Sequence, residues 1–335
     1  MTDPARVFVT GGTGHLGRNL LTRLRAGGYA VRALTRHPER HPWLADLGVE
    51  IVTGDVENAP LMREAASGCR YIIHAAGRFS FWGRAESFTH TNVCGTEHVL
   101  EAAHVAGAAR VVHISTVGVI GRPLPGRPVD EDHPPRPADA YQRSKLAGER
   151  LALRFWQDRD LPVIVLRPGA FYGPHGRYAF NRLFIEDPLR GLRIQVNGGR
   201  HITFPVFVTD VAECAIAALE RGKPGQIYHV CGDPLSHREA NRIVSEEAGI
   251  SPFRLNVPGW SMVALASLWT ALSTLTRVEP YYPITLRGYV FNDWRVSSEK
   301  ARRELAFTPT DFREGVRRTL AWYREVGILR QHRAQ

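Results

Sequence analysis

The chain of 335 residues is 44% hydrophobic and 23% charged, so it can bury one large core or two unequal cores. Its net charge of +10 comes from basic residues that are spread along the chain, and we therefore expect no nucleic-acid partner. The four cysteines are widely separated and form no metal-binding spacing. We expect them to be buried free thiols, and we expect no metal site.

Residues Met1–Pro4 lead directly into an apolar run, without the charged and apolar regions of a signal peptide. We therefore expect a cytoplasmic protein. The sequence leaves open whether the protein also touches a membrane surface and whether it forms a homodimer.

The first motif is TGGTGHLG at residues 10–17, which follows an apolar run and precedes an amphipathic stretch at residues 18–28. Strand, glycine turn and helix are the context in which such glycines bind a dinucleotide. Gly11 permits the tight turn, Gly14 lets the backbone approach a diphosphate, and Gly17 lets the helix pack on the strand. The free N–H groups of the helix N-terminus then face the anion.

Strands and helices alternate through the next part of the chain, which predicts a doubly wound parallel sheet of the α/β class. The predicted strands are 29–35, 49–53, 70–74, 110–115 and 162–167, and the main helices are 92–106 and 139–154. We assign residues 1–175 to a dinucleotide-binding domain and residues 176–335 to a substrate-binding part. Within that part we expect a helix at 209–220 and a strand at 226–230, so that residues 206–235 return to the sheet.

Two capping boxes, Ser236 with Glu239 and Asp311 with Glu314, predict the starts of late helices. Between them, residues 255–276 carry no charge, and leucines recur there at helical spacing. We expect Leu268 and Leu272 on this helix to face a hydrophobic substrate. An interfacial membrane helix and a membrane span are the alternatives.

Tyr141 and Lys145 are four residues apart and therefore lie on one face of a helix. An ammonium one turn away lowers the pKa of a phenol, which makes the pair suitable for proton transfer. The third member of such a site is a hydroxyl at the C-terminal end of a strand, and Ser115 and Thr116 occupy that place. The alternative is a chance surface pair.

Seven motifs together resemble the extended short-chain dehydrogenase/reductase family, and the resemblance spans the chain. In chain order they are TGGTGHLG (10–17), Gly54-Asp55, HAAG (74–77), NVCGT (92–96), HISTVGVIG (113–121), YQRSK (141–145) and RPGAFYGP (167–174). The resemblance implies that Thr116 is the catalytic hydroxyl, with Ser115 beside it. It also implies a set of dinucleotide contacts: Gly11, Thr13, Gly14, His15, Leu16, Gly17, Asn92, Tyr141 and Lys145.

The same resemblance implies that Asp55 and Val56 flank the adenine. Ala75, Ala76 and Gly77 would pass the adenosine ribose, and Pro168 would lie near the carboxamide. The choice between NAD and NADP depends on the end of the second strand, which reads Thr35-Arg36 instead of an acidic residue. An arginine suits a 2′-phosphate and favours NADP, and the alternative is that Arg36 is simply solvated.

The segment after HAAG and the C-terminal part look like the 3β-hydroxysteroid dehydrogenase branch of the family. This implies an oxidoreductase acting on a secondary alcohol or ketone of a small hydrophobic substrate, either sterol-like or long-chain 3-oxoacyl. Phe79, Phe81, Trp82 and Phe171 would then line the pocket, and ordinary core packing is the alternative.

Two other functions remain open. A sugar-nucleotide epimerase or dehydratase would use the same catalytic residues, but Thr203 stands where such enzymes commonly carry an arginine, and Arg193 or Arg200 would have to replace it. A non-catalytic nucleotide-binding scaffold is the third hypothesis, and the intact Thr116, Tyr141 and Lys145 set argues against it.

Overall fold

The computed structural model describes residues 4–124 and 126–329. Residues 1–3, on which part of the signal-peptide expectation rests, lie outside them. The strands, in chain order, are β1 (Arg6–Thr10), β2 (Ala30–Thr35), β3 (Glu50–Thr53), β4 (Tyr71–His74), β5 (Arg110–Ile114), β6 (Val163–Pro168), β7 (Ala170–Tyr172), β8 (Ile194–Val196), β9 (Ile202–Thr203), β10 (Pro205–Phe207), β11 (Ile227–Val230), β12 (Leu235–Ser236) and β13 (Leu255–Val257).

Helices connect most of these strands. They are α1 (His15–Ala26), α2 (Trp43–Asp46), α3 (Ala59–Ala66), α4 (Ala85–Thr89), α5 (Gly95–Val105), α6 (Ala140–Arg159), α7 (Asp187–Leu189), α8 (Val208–Arg221), α9 (His237–Ala248), α10 (Gly259–Thr276), α11 (Arg287–Val290), α12 (Glu299–Leu305) and α13 (Phe312–Glu325).

Seven strands form one parallel sheet in the order β11-β6-β5-β4-β1-β2-β3. Leucines of α1 and the apolar side of α8 cover one face of the sheet, and α3, α5 and α6 cover the other. Both faces of the sheet are buried because the apolar side of each crossover helix packs against the strands. The predicted doubly wound α/β fold is therefore confirmed.

The helix predicted at 92–106 begins differently in the structure. Residues His90–Cys94 form a π-helical turn that leads into α5. Here α6 approaches very closely, since a Cβ on Gly148 would lie 2.5 Å from the Asn92 carbonyl oxygen. The Thr96 hydroxyl donates to that same carbonyl at 2.8 Å. The wider turn thus carries Asn92 towards α6, as such turns often do near functional sites.

The C-terminal part has a separate apolar cluster. Aromatic residues of β7, β10 and the π-helical turn Asn181–Glu186 pack there against α9 and α13. The two predicted N-caps are confirmed, because Ser236 Oγ accepts from the Glu239 N–H and Asp311 Oδ1 accepts from the Glu314 N–H. These caps fix the starts of the two helices that hold this cluster together.

The expectation for Leu268 and Leu272 was wrong. Their side chains are 58% and 48% exposed on the outer face of α10. The helix is fixed to the protein by its other face, where Thr270 Oγ1 accepts from the Ile284 N–H at 3.2 Å and Trp269 stacks on Tyr282. Because apolar residues lie all around this helix, the leucine spacing alone could not identify the buried face.

Across residues 4–124 and 126–329, no helix is both long enough and apolar enough to cross a membrane.

Candidate active site

The glycine turn between β1 and α1 has the shape that a dinucleotide requires. Gly11 has φ +72°, and a Cβ there would lie 2.6 Å from the Ala75 backbone, whereas a Cβ on Gly17 would lie 2.1 Å from the Gly11 carbonyl oxygen. Gly14 is exposed and is the N-cap residue of α1, and the structure shows no side-chain cap hydrogen bond at this helix start among the described residues. Backbone packing therefore excludes larger residues at Gly11 and Gly17, and the first turn of α1 can receive a diphosphate.

The two other predicted residues of the helix start face inwards. Leu16 joins the apolar cluster under the sheet, and the His15 ring lies edge-on to Phe171 with centroids 5.6 Å apart. A Cβ on Gly176 would lie 2.2 Å from the His15 ring, so this glycine is required for the contact. Burial, together with the neighbouring His175, lowers the pKa of His15 to about 4, and the ring is neutral.

A chain of hydrogen bonds connects the glycine turn to the HAAG motif. The Ala76 N–H donates to Thr10 Oγ1, which lies 2.7 Å from His74 Nδ1, and His74 Nε2 lies 2.9 Å from Thr96 Oγ1. Since the Thr96 hydroxyl proton goes to the Asn92 carbonyl, His74 must donate from Nε2 and accept at Nδ1. Burial lowers the pKa of His74 to about 3, which keeps this neutral form.

The predicted adenine end lies at the C-terminal ends of β2 and β3. The Arg36 side chain is 71% exposed, and its guanidinium is 3.6 Å from the Asp55 carboxylate. Thr35 is buried at the strand end, and buried Val56 packs on Gly95, where a Cβ would lie 2.6 Å from the valine methyl. These four residues surround a solvent-facing edge beside the glycine turn, where open α/β sheets bind their ligands.

Tyr141 stands on the first turn of α6, and its phenol shares the cavity wall with the Thr116 side chain. Thr116 Oγ1 in turn accepts from the Gly118 N–H at 3.0 Å, which fixes the threonine rotamer. Burial and the nearby Asp139 carboxylate raise the pKa of Tyr141 above its usual range, while the Thr116 hydroxyl acts in the opposite direction. Tyr141 is therefore a protonated phenol at neutral pH, and the expected lowering of its pKa by Lys145 is not found.

Lys145 is buried one turn further along α6, and its Nζ donates to the Ile114 carbonyl at 2.6 Å. Burial lowers the pKa of Lys145 to about 8, while the Glu149 carboxylate acts in the opposite direction. A Cβ on Gly77 would lie 3.7 Å from this Nζ, so the ammonium faces the end of the HAAG motif. The ammonium thus lies between the strand-end hydroxyl and the predicted ribose position.

Ser115 has a different role from the one predicted. Its hydroxyl donates to Glu149 at 2.7 Å, and Glu149 forms a bidentate ion pair with Arg167 at 2.6 and 3.0 Å. Both charged side chains are almost fully buried. Because the Ser115 hydroxyl stabilises this pair, it is turned away from proton transfer, and the structure favours Thr116 as the catalytic hydroxyl.

This division of roles predicts opposite results for two alanine variants. Thr116→Ala removes a transition-state donor and is expected to lower kcat by about 10²-fold, while Thr116→Ser retains the hydroxyl and should recover most of the activity. Ser115→Ala is expected to keep kcat within a few-fold but to lower the free energy of unfolding by about 1.5 to 3 kcal/mol, because a hydrogen bond to a buried carboxylate is lost. Steady-state kinetics and urea unfolding test both, and an equal loss of kcat in the two variants contradicts the assignment.

Asn92 holds the loop after HAAG against α6. Its Oδ1 accepts from the Arg78 N–H at 2.7 Å, and its Nδ2 donates to Ser144 Oγ at 2.9 Å. Ser144 is the neighbour of Lys145, so Asn92 positions the ammonium and the loop relative to each other. The predicted cofactor role of Asn92 is thus one of support in this structure.

A cavity of about 500 Å³ opens between the glycine turn and α6. Most of the predicted catalytic, glycine-turn and substrate residues line it: Gly11, Gly14, His15, Leu16, Gly17, Ala75, Gly77, Phe79, Ser115, Thr116, Tyr141, Lys145 and Phe171. Other predicted residues are not among the described residues of its wall: Thr13, Thr35, Arg36, Asp55, Val56, Ala76, Trp82, Asn92, Pro168, Leu268 and Leu272. The exposed Leu268 and Leu272 are therefore corrected as substrate contacts, whereas the role of Trp82 stays a prediction.

Aromatic side chains form the wall opposite the glycine turn. The Phe79 and Tyr141 rings lie 4.8 Å apart, and Phe81 stacks on Tyr178 with centroids 5.6 Å apart. Tyr289 packs on Phe81 and lies 3.2 Å from the Asp139 carboxylate. Tyr178 and Tyr289 were not predicted, because no spacing rule connects residues so distant in sequence to this loop.

The comparisons with known proteins agree with this geometry. The family model of the NAD dependent epimerase/dehydratase family matches residues 7–231 of this chain. A 4-hydroxy-2-methyl-3-oxo-4-farnesyl-3,4-dihydroquinoline-1-oxide ketoreductase of Stigmatella aurantiaca is 36% identical, over 90% of this chain and 91% of its own length. Sterol demethylase protein B of Methylococcus capsulatus is 30% identical, over 96% of this chain and 99% of its own length.

Among solved structures, a dTDP-glucose 4,6-dehydratase double mutant from Streptomyces venezuelae with NAD bound superimposes with a TM-score of 0.77. It is 27% identical, and the match covers 96% of this chain and 97% of that chain. The sequence matches and the superposition thus join this chain to one family of enzymes with the same fold. The chain belongs to the NAD dependent epimerase/dehydratase family, within the extended short-chain dehydrogenases/reductases.

Proposed function

We propose that this protein is an NAD(P)-dependent oxidoreductase that interconverts a ketone and a secondary alcohol on a hydrophobic substrate. The observation that carries the proposal is the aromatic wall of Phe79, Phe81 and Tyr178 directly beside the Tyr141 phenol. Such a wall suits an apolar body with one reacting oxygen, as in a sterol-like or long-chain 3-oxoacyl compound. The similarity to a ketoreductase of a farnesylated molecule also supports it.

The residues divide the work of ketone reduction. A bound reduced nicotinamide supplies the hydride that the carbonyl carbon receives. Tyr141 donates its proton to the carbonyl oxygen, so that the ketone becomes a secondary alcohol. Thr116 donates to the phenol oxygen and stabilises the phenolate that remains, and the Lys145 ammonium adds positive charge close by.

The raised pKa of Tyr141 favours the reducing direction at neutral pH. Reduction needs the protonated phenol, which is the dominant form, whereas alcohol oxidation needs the phenolate. The oxidation rate should therefore increase as the pH is raised towards the pKa of Tyr141, while the reduction rate should not increase.

NADP is the cofactor we propose over NAD. Arg36 is exposed at the end of β2, and its contact with Asp55 is long, so its guanidinium is free to turn towards a 2′-phosphate. Arg36→Glu is expected to shift the ratio of affinities from NADP towards NAD by about ten- to a hundred-fold, which corresponds to one charge-assisted contact of roughly 1.5 to 3 kcal/mol. Titration of both cofactors against wild type and variant measures the shift, with the exposed Arg40→Glu as a matched control. Equal wild-type affinities for the two cofactors contradict the choice of NADP.

The sugar-nucleotide alternative has less support from the cavity. Thr203 lines the wall where an arginine would neutralise a second diphosphate, and among the described residues neither Arg193 nor Arg200 reaches that wall. Arg193 instead donates to the Pro188 carbonyl at 3.3 Å. Arg177 does lie in the wall of this cavity, but it is paired with the Glu186 carboxylate at 3.1 Å, so a diphosphate would have to compete with that carboxylate for the cation.

The deciding experiment is a turnover assay, followed by product analysis, in which a 3-oxosteroid and a 3-oxo ester are offered with NADPH or NADH and dTDP-glucose is offered with NAD⁺, because a dehydratase starts from the oxidised cofactor and consumes none. We expect reduction of at least one of the two hydrophobic ketones and no reaction of the nucleotide sugar. Reaction of dTDP-glucose alone contradicts the proposal and favours the dehydratase function.

A further inference from the structure

A second cavity, of about 110 Å³, lies beneath α10. The inner face of α10 contributes Met262, Val263 and Ala266 to its wall, and Ile194 and Val196 of β8 lie across from them. This is the face opposite to the leucines that the sequence had singled out. The cavity thus has an apolar wall next to α10, in the C-terminal half and away from the glycine turn, whereas Gln195, His237 and Asn241 are polar residues elsewhere in its lining.

The second cavity adjoins the catalytic one. Leu183, Phe184, Leu286 and Val290 belong to the walls of both. Each of these four residues is apolar, and three of them, Leu183, Leu286 and Val290, have side chains that can change rotamer without breaking a hydrogen bond. The two cavities therefore share part of their walls, and we call these four residues the partition.

The size of the catalytic cavity makes this connection important. About 500 Å³ must hold the nicotinamide end of the cofactor and the reacting part of the substrate together. Sites for a single drug-sized ligand typically occupy roughly 300 to 1,000 Å³. A substrate with a long apolar part therefore has to extend beyond the aromatic wall, and the adjoining space is the cavity beneath α10.

The polar groups at the second cavity fit a hydrocarbon better than an anion. Asp187 lies in its wall, is almost completely buried, and is bound by the hydroxyls of Tyr281 and Tyr282. A buried carboxylate repels a diphosphate, although Arg287 lies at the same wall. Because the two tyrosine hydroxyls already donate hydrogen bonds to Asp187, the carboxylate needs no hydrogen bond from a ligand.

We propose that the cavity beneath α10 binds the distal hydrocarbon chain of an elongated substrate whose ketone lies at Tyr141. This inference rests on the proposed function and names a substrate class within it, that of ketones carrying a long alkyl or isoprenoid chain. The partition of Leu183, Phe184, Leu286 and Val290 moves aside as the chain passes.

The test is a series of methyl 3-oxo esters, from 3-oxobutanoate to 3-oxohexadecanoate, assayed for kcat/KM with wild type and variants. In the wild type, each methylene that enters the second cavity should raise kcat/KM by about threefold to fourfold. Ala266→Phe fills the cavity from α10, and Val263→Phe does so from the preceding turn. In both, the ratio of kcat/KM for the long ester to that for the short ester should fall by at least tenfold.

Leu268→Phe is the matched control, since it adds the same ring to the exposed face of the same helix. It should leave the ratio of long-chain to short-chain kcat/KM unchanged. Circular dichroism of each variant checks that the protein is folded. If Ala266→Phe does not fold, Val263→Phe still provides the test.

A binding measurement separates this inference from the proposed function. Displacement of bound cis-parinaric acid by the same esters reports chain binding whether or not the esters are reduced. If short and long esters are reduced equally well in the wild type, the chain site is wrong and the reductase stands. If no ester is reduced but the long ester displaces the probe only when Ala266 is intact, the chain site stands and the reductase is wrong. Displacement by dTDP-glucose in preference to the long ester contradicts the chain site.

Discussion

Replacing Tyr141 with phenylalanine is expected to lower kcat for ketone reduction by about 10²- to 10⁴-fold, the usual contribution of a general acid. The variant lacks one hydroxyl group and retains the ring that packs on Phe79. The affinity for NADPH should therefore change little. Single-turnover kinetics and cofactor titration measure the two quantities separately.

A matched control comes from another tyrosine of the same aromatic wall. Tyr178→Phe also removes one hydroxyl from the cavity, but this hydroxyl is bonded to the Glu279 carboxylate and lies outside the Thr116 pair. Its kcat should remain within about tenfold of wild type. If Tyr141→Phe retained more than about a tenth of the wild-type kcat, Tyr141 would not be the proton donor.

The second large effect concerns acid stability. His74, His113 and His229 lie in the central sheet with at most 1% of their surface exposed. Burial lowers the pKa of His74 and of His229 to about 3, and that of His113 lies well below its usual value. Positive neighbours lower these pKa values further: Lys145 acts on His74 and His113, and Arg167 acts on His229.

The sign of the pH dependence follows from these lowered values. The unfolded chain binds protons on the three histidines below about pH 6.5, while the folded protein does not until about pH 3. Their contribution to stability is thus complete above pH 6.5 and is lost as the pH falls. Three such groups should remove about 4 kcal/mol between about pH 7.5 and 5.5, a large part of the stability of an ordinary domain.

Urea unfolding at a series of pH values measures this loss. His113→Leu is the informative variant, because both ring nitrogens of His113 lack a hydrogen-bond partner among residues 4–124 and 126–329. The change in its unfolding free energy between about pH 7.5 and 5.5 should be smaller than that of the wild type by about 1.4 kcal/mol, the contribution of one such histidine. A free energy of unfolding that stays constant from about pH 7.5 to 5.5 would show that the histidines are not buried as described.

Local sequence was sufficient to predict the central sheet and the glycine turn. The strand, glycine and helix signals at residues 6–28 are short-range, and the alternation after them constrains the topology almost completely. The Tyr141 and Lys145 pair was also predictable, because helical spacing alone places the two side chains on one face. Each of these features depends on residues that are close in sequence.

The parts of the site that were missed depend on contacts between distant residues. Ser115 and Thr116 are adjacent at a strand end, and only the buried Glu149 and Arg167 pair shows which hydroxyl is engaged elsewhere. Tyr178 and Tyr289 reach the aromatic wall from two different segments. On α10 the leucine spacing predicts a helix. It does not predict which face is buried, because apolar residues lie on every side of this helix.

The position of β11 has a consequence for how the chain folds during synthesis. β11 (Ile227–Val230) pairs with β6 (Val163–Pro168), whose other neighbour is β5, so the outer edge of β6 has no partner until residue 230 has left the ribosome. An unpaired edge of a buried, strongly apolar strand readily associates with other chains. Folding of the sheet must therefore wait for sequence some sixty residues downstream, and a nascent chain that pauses between these strands would be a substrate for chaperones.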